Sequence, residues 1–222
     1  MEKRPENASW DVWNRLGLAF HTLGSYDSAL SCYLQAEKQV RFAKSQRDRQ
    51  LLGTTLNNIS QIYDARGDYG KALEYLEKSL AIKREIGDRA GEGTTLNNIS
   101  QIFKARGDYG KALEYLEKSL AIRREIGDRA GMITTLHNMA HIFLQNEQLK
   151  EALEAFSEAL SLALEINNAE GIFNVALNLG QLLCQLGQTE QGLPLLQQAL
   201  QVGRQLGHPK TAQVEALVQQ FQ

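Results

Sequence analysis

Residues 53–90 read GTTLNNISQIYDARGDYGKALEYLEKSLAIKREIGDRA, and residues 93–130 read GTTLNNISQIFKARGDYGKALEYLEKSLAIRREIGDRA. Over the wider blocks 51–90 and 91–130 the two align without a gap and differ at five positions. These set Leu51 against Gly91, Leu52 against Glu92, Tyr63 against Phe103, Asp64 against Lys104 and Lys83 against Arg123. Repetition this close decides the architecture before local propensity is weighed, because each copy must fold alike and pack on a neighbour like itself. The frame continues, more diverged, through 131–170 and 171–207. It also runs backward through 9–48, with a small length change near Gln46 to Arg49, giving five units at a step of 40 residues through most of the chain.

Each unit carries two helical patterns. In the second, Leu52, Leu56, Ile59 and Tyr63 recur at spacings of three and four, so the first helix runs roughly from Leu51 to Ala65 with one apolar face. The second runs roughly from Tyr69 to Ile86 with two adjoining stripes, Tyr69, Leu73, Leu76 and Leu80 beside Ala72, Tyr75, Ser79, Ile82 and Ile86. So wide an apolar face suits a helix packed on more than one side. Gly67 and Gly107 suit the left-handed residue that follows a helix, and Asp68 and Asp108 suit the cap of the next. Gly87–Asp88 and Gly127–Asp128 repeat that chemistry between units. A lone hairpin could not bury these faces, so the pattern predicts an all-α solenoid whose core lies between successive hairpins. A closing helix is expected near Lys210 to Phe221, and Gly192 and Pro194 are expected to weaken the start of the last repeat's second helix, which should fray first.

With this pattern in hand, the residues carry a recognisable signature. The first unit reads Trp13-x-x-Leu16-Gly17-x-x-Phe20, then Ala29-x-x-x-Tyr33 and Ala36. Later units place Ser60, Ser100, Ala140 and Gly180 at the first small position, and Ala72, Ala112, Ala152 and Gly192 at the close helix crossing. This resembles the tetratricopeptide repeat (TPR) over about Ser9 to Gly207. The 40-residue step and Gly-Asp ending are similar to bacterial signalling TPR proteins, the Pins/LGN polarity adaptors and kinesin light chains. The resemblance implies a right-handed superhelix of five helix-turn-helix repeats forming one domain. The expected divisions are a tail at 1–8, repeats at 9–48, 49–88, 89–128, 129–168 and 169–207, and a capping helix at 208–222.

The family displays the first helix of each repeat on its concave side, so the resemblance also implies a groove. Thr54, Asn57, Asn58 and Gln61 would line it in the second repeat, and Thr94, Asn97, Asn98, Gln101 and Lys104 in the third. Thr134, His137, Asn138 and His141 follow in the fourth, with Asn174, Asn178 and Gln181 in the fifth. A wall of amides offers donors and acceptors without net charge, which suits the backbone of an extended peptide. The same amides could instead bond to the neighbouring repeat as a structural ladder. Asp64 and Lys104 hold one inner-helix place with opposite charge. The basic residues with which chaperone adaptors clamp a terminal carboxylate are absent from the comparable places, which hold Thr94, Asn98, Thr134 and Asn138.

Composition closes off other classes. A hydrophobic share of 43%, a charged share of 23% and a net charge of −2 give no field that would attract nucleic acid. No apolar run reaches the length of a membrane span. Cys32 and Cys184 make no metal-like spacing and are expected to be reduced thiols of a cytoplasmic protein. His137 and His141 stand four apart and could share a divalent ion, with Glu147 the nearest acidic residue. Polar contacts are the simpler reading, and no metal or cofactor is expected. No phosphate loop, nucleophile elbow or zinc-protease helix is present, so the expectation is a non-enzymatic scaffold or adaptor that binds a protein or peptide. The alternative is a structural or oligomerisation module, or part of a larger signalling protein. An exposed face of the final helix (Ala212, Val214, Leu217, Val218, Phe221) would then help form a homo-oligomer.

Overall fold

The computed structural model describes residues 9–42 and 45–222, and every regular element among them is a helix. The tail expected over residues 1–8 lies outside the described residues. The elements are α1 (Trp10–Thr22), α2 (Tyr26–Val40), α3 (Gln46–Ala65), α4 (Tyr69–Glu85), α5 (Arg89–Ala105) and α6 (Tyr109–Ile126). They continue with α7 (Arg129–Gln145), α8 (Leu149–Glu165), α9 (Ala169–Gln185), α10 (Thr189–Leu206) and α11 (Thr211–Phe221). This is the all-α solenoid class that the repetition implied. The chain divides into two compact units, residues 1–115 and 116–222.

The turns form as the sequence dictates. Gly67 and Gly107 take φ of +74° and +77°, where a side chain would strain the backbone. The aspartates that follow then accept from the first exposed amides of the next helix, Asp68 from Lys71 N and Asp108 from Lys111 N, both at 3.1 Å. Asp88, Asp128 and Asn168 do the same for Gly91, Gly131 and Gly171. Helix α3 begins earlier than its periodicity suggested, because Ser45 accepts from Asp48 N and adds a turn before Leu51.

In the first unit the core lies between hairpins. Ala29 and Tyr33 of α2 pack with Ile59 and Ile62 of α3, and all four are fully buried. Val40 reaches from α2 to Leu52 and Leu56 of α3 and Ile82 of α4. Trp10 Nε1 donates to Thr55 Oγ1 at 2.8 Å, and the buried Ser79 hydroxyl donates to the Gly53 carbonyl at 2.8 Å. Small residues admit this closeness: a Cβ on Gly17 would fall 2.5 Å from the Tyr33 ring.

In the second unit α7 pairs with α8, α9 with α10, and α11 covers α10. Helix α10 runs from Thr189 to Leu206 with Gly192 and Pro194 inside it, and Gly192 stands at a close crossing: its Cβ would lie 2.6 Å from both the Gly180 carbonyl oxygen and Cys184 Sγ. One expectation is corrected here. The apolar face of α11 is not open. Val214 and Val218 are buried, because they stand where the next first helix would present its core residues, leaving Ala212 exposed and Leu217 and Phe221 half-buried. Cys32 and Cys184 are both buried and form no disulfide.

Where the turn glycine is missing, Glu147 takes the left-handed conformation itself, at φ 58°. Its side chain is exposed, so Glu147→Gly is expected to stabilise the fold by roughly 0.5–1 kcal/mol, the left-handed cost less the extra flexibility of glycine in the unfolded chain. Gly192→Ala should do the opposite by forcing α9 and α10 apart. Thermal melting of both variants checks the pair.

Candidate functional site

The first helices of the repeats carry the candidate residues. Thr54, Thr94 and Thr134 turn their hydroxyls back to the carbonyls of Gln50, Ala90 and Ala130, so their donors serve their own helices. The amides one turn further on do something different. Asn58 Nδ2 donates to Asn14 Oδ1 at 2.9 Å, joining α3 to α1. Asn98 Nδ2 donates to Asn57 Oδ1 at 3.0 Å, joining α5 to α3. In the second unit Asn178 Nδ2 lies 2.8 Å from His137 Nε2, joining α9 to α7. The rule is the same each time: an asparagine reaches back to the side chain one place earlier in the preceding repeat's frame. Asn138 is half-buried at the equivalent place of α7, and Asn97 is buried. Gln61, Gln101, Lys104, His141 and Gln181 are half-buried.

The amides are therefore bonded between neighbouring inner helices, yet not used up. Among the described residues, Asn57 Nδ2, Asn58 Oδ1 and Asn98 Oδ1 make no hydrogen bond, so each link leaves a donor or an acceptor beside it. The Asp64 carboxylate has neither a hydrogen bond nor an ion pair among the described residues, and burial pushes its pKa up from the ordinary value. In the second unit a cleft of about 280 Å³ opens between α7 and α9, lined by Ile133, Thr134, His137, Gly171, Asn174 and Val175.

His137 and His141 also meet, Nε2 to Nε2 at 3.3 Å, with both rings against Phe156. Glu147 stands in the exposed turn beyond α7, and no cluster of three or more His, Cys, Asp or Glu suited to a metal occurs among the described residues.

Sequence reading missed Asn14, the first acceptor of the ladder, because the tetratricopeptide signature directs attention to its neighbours Trp13 and Leu16. It also missed the charges folded into the turns between repeats. Lys83 Nζ lies 2.7 Å from Asp88 Oδ2 with only 7% of its side chain exposed, and Arg123 pairs with Asp128 in the same way. Burial raises the Asp88 carboxyl, but the Lys83 ammonium and the Gly91 N–H outweigh it and hold the group below its usual value. Glu92, buried, is held by Arg84 at 2.8 Å and Arg89 at 2.6 Å. The retained basic character of 83 and 123, each five residues before an aspartate, was the available signal.

A stack of antiparallel helical hairpins with small residues at the crossings and an amide-lined inner row defines a helical-repeat scaffold. The chain belongs to the tetratricopeptide repeat family, whose models match residues 11–85, 91–165 and 174–206. That membership makes it, at the coarse level, a protein-interaction scaffold. It is 32% identical over 69 residues to the transcriptional activator NprA of Geobacillus stearothermophilus, an alignment covering 31% of this chain and 16% of that protein. Its fold is similar to a Rap protein complexed with competence and sporulation factor (TM-score 0.76, 14% identity), covering 91% of this chain and 56% of the other. It is also similar to the nearly identical TPR-like repeats of a kinesin light chain-type protein from Podosopora anserina (TM-score 0.68, 18% identity), covering 89% and 95%. The chain thus spans about a sixth of the activator and just over half of the Rap chain. No helix among the described residues is long and apolar enough to cross a membrane.

Asn98→Ala leaves the half-buried Asn57 Oδ1 without its donor. The expected result is a loss of about 1 kcal/mol of stability, read as a lower melting temperature, with α-helical content unchanged. An unchanged melting temperature would mean that the ladder contributes nothing to the stacking.

Proposed function

We propose that the inner row binds an extended segment of a partner protein, through hydrogen bonds between its backbone and the amide groups that the ladder leaves over. The observation that carries this reading is the half-used state of Asn57, Asn58 and Asn98. An amide pinned by a bond to its neighbour has already lost its rotameric freedom, so presenting its second group to a ligand costs little further entropy. An extended backbone offers one donor and one acceptor per residue, which such a row can meet. Gln61 and Gln101 extend the row in the first unit, with Thr54 and Thr94 beside it, and in the second unit Asn178, Gln181, Thr134, His137, Asn138 and His141 hold the corresponding places. The Rap structure similar to this chain holds a bound competence and sporulation factor, which lends the reading support by analogy of fold. In the same proposal the five repeats from 9–48 to 169–207 act as one scaffold domain without catalysis, working in the cytoplasm.

Asp64 and Lys104 set the charge preference in this reading. Burial of an unpaired carboxylate is unfavourable, and a cationic side chain of the partner would offset it. The sign follows from the raised pKa. Stability contributed by protonated Asp64 is present at low pH and lost as pH rises through the unfolded and then the folded value. Asp64→Asn should therefore raise the melting temperature at pH 7, leave it nearly unchanged at pH 3, and weaken a partner that carries the complementary cation.

The experiment is a display screen of random peptides against the chain, with recovered peptides then titrated against Asn58→Ala, Asn98→Ala and Asp64→Asn. Each alanine is expected to weaken binding by about 2- to 13-fold, the worth of one net hydrogen bond. Peptides that bind all variants equally would refute the inner row as their site.

A second reading rests on α1. Val12 is 41% and Leu16 36% exposed, whereas their counterparts in the next repeat, Thr55 and Ile59, are fully buried. Apolar residues this exposed among the described residues suit self-association, the oligomerisation module of the alternative. Light scattering across a range of concentrations separates the two, and a monomer at every concentration removes the second.

A further inference from the structure

We propose that His137 and His141 form a chelating site for one divalent transition-metal ion of the zinc, nickel and copper class. The inference is independent of the peptide-binding reading. Four-residue spacing puts both rings on one face of α7, and their Nε2 atoms converge at 3.3 Å. According to tautomer, one ring nitrogen donates to the other across that distance. The same separation matches the edge of a metal polyhedron: with metal–nitrogen bonds of about 2.0–2.1 Å it corresponds to an angle of about 104–111° at the ion, bracketing the tetrahedral value.

The surroundings hold the pair in this arrangement. The two rings meet edge to face with centroids 4.6 Å apart, and Phe156 lies 5.7 Å from one centroid and 5.4 Å from the other. In the two preceding repeats the equivalent places hold Asn57, Gln61 and Leu76, then Asn97, Gln101 and Leu116. The fourth repeat has thus changed three mutually contacting positions together, exchanging an amide pair on leucine for an imidazole pair on phenylalanine. Both histidines are half-buried rather than enclosed, and the cleft between α7 and α9 gives access to His137.

Asn178 Nδ2 lies 2.8 Å from His137 Nε2 and also donates to the Asn174 carbonyl at 2.8 Å, so the ion displaces this amide from His137 and water completes the shell. Two imidazoles favour a borderline ion over calcium or magnesium, which take oxygen shells. No redox change or bond-making step is involved. Coordination takes the lone pair of each neutral ring.

The test is a titration of the full chain with Zn²⁺ against a chromophoric chelator at pH 7.5, repeated with Co²⁺ for its visible spectrum. The variants are His137→Asn, His141→Gln and the double substitution, which restore the side chains that α5 already carries and so keep the helix. One ion per chain is expected, weakened about 10- to 100-fold by either single substitution and lost in the double variant, with a tetrahedral Co²⁺ spectrum that vanishes alongside it. Failure of the wild-type chain to bind Zn²⁺ would overturn the proposal. So would binding undiminished in the double variant, since that places the ion on His21, His208 or surface carboxylates.

Discussion

Each hairpin of this chain is apolar on two flanks, and its own partner helix covers only one of them. The other flank must be covered by the next hairpin. That requirement is what Ala29 and Tyr33 meet by packing on Ile59 and Ile62, and what Val214 and Val218 meet at the far end by closing over α10. Much else follows from it. Inner helices must approach closely, so serine, alanine or glycine stands at each crossing, and the turns must reverse tightly, so a left-handed residue and a capping carboxylate or amide recur between helices. Once the inner helices are brought side by side, their polar faces also come within hydrogen-bonding distance.

The asparagine row is the product of that proximity. Asn58–Asn14, Asn98–Asn57 and Asn178–His137 are bonds between repeats, made by side chains that sequence alone would as readily direct at a ligand. The two roles share one geometry. An amide has more bonding capacity than a single neighbour consumes, so a residue can tie two helices together and still present a group outward. The histidines of the fourth repeat depart from this pattern, having no amide to present, and their chemistry differs accordingly.

The fold was legible because near-identity of two blocks removes the ambiguity of local propensity, and because glycine followed by aspartate marks the turns at 67–68, 87–88, 107–108 and 127–128 twice over. Helix ends were read within a residue or so where those signals occur. At α3 the start was misplaced, since Ser45 lies in the one region where the repeat spacing changes. At Gly192 the repeat frame marked a close crossing, but only the distance to the Gly180 carbonyl shows that even an alanine would be crowded there. The repeat frame marked equivalent positions on the first helices, and within each unit the structure joins some of them by side-chain bonds. That bonding was not legible, because the partners lie more than 40 residues away and the first of them, Asn14, sits in the most diverged unit.

The modular stacking of the first unit has a mechanical side. Its ladder bonds join segments 44 and 41 residues apart in the chain, whereas a contact within a hairpin such as Ser79–Gly53 spans 26. A pull along the backbone therefore peels whole hairpins from the end of the stack instead of loosening all of them at once. Each release sets free one repeat of 40 residues, about 140 Å of extended chain. Force–extension traces of such an element take the form of a staircase of nearly equal treads, and a load shared through it is shed in fixed increments of length.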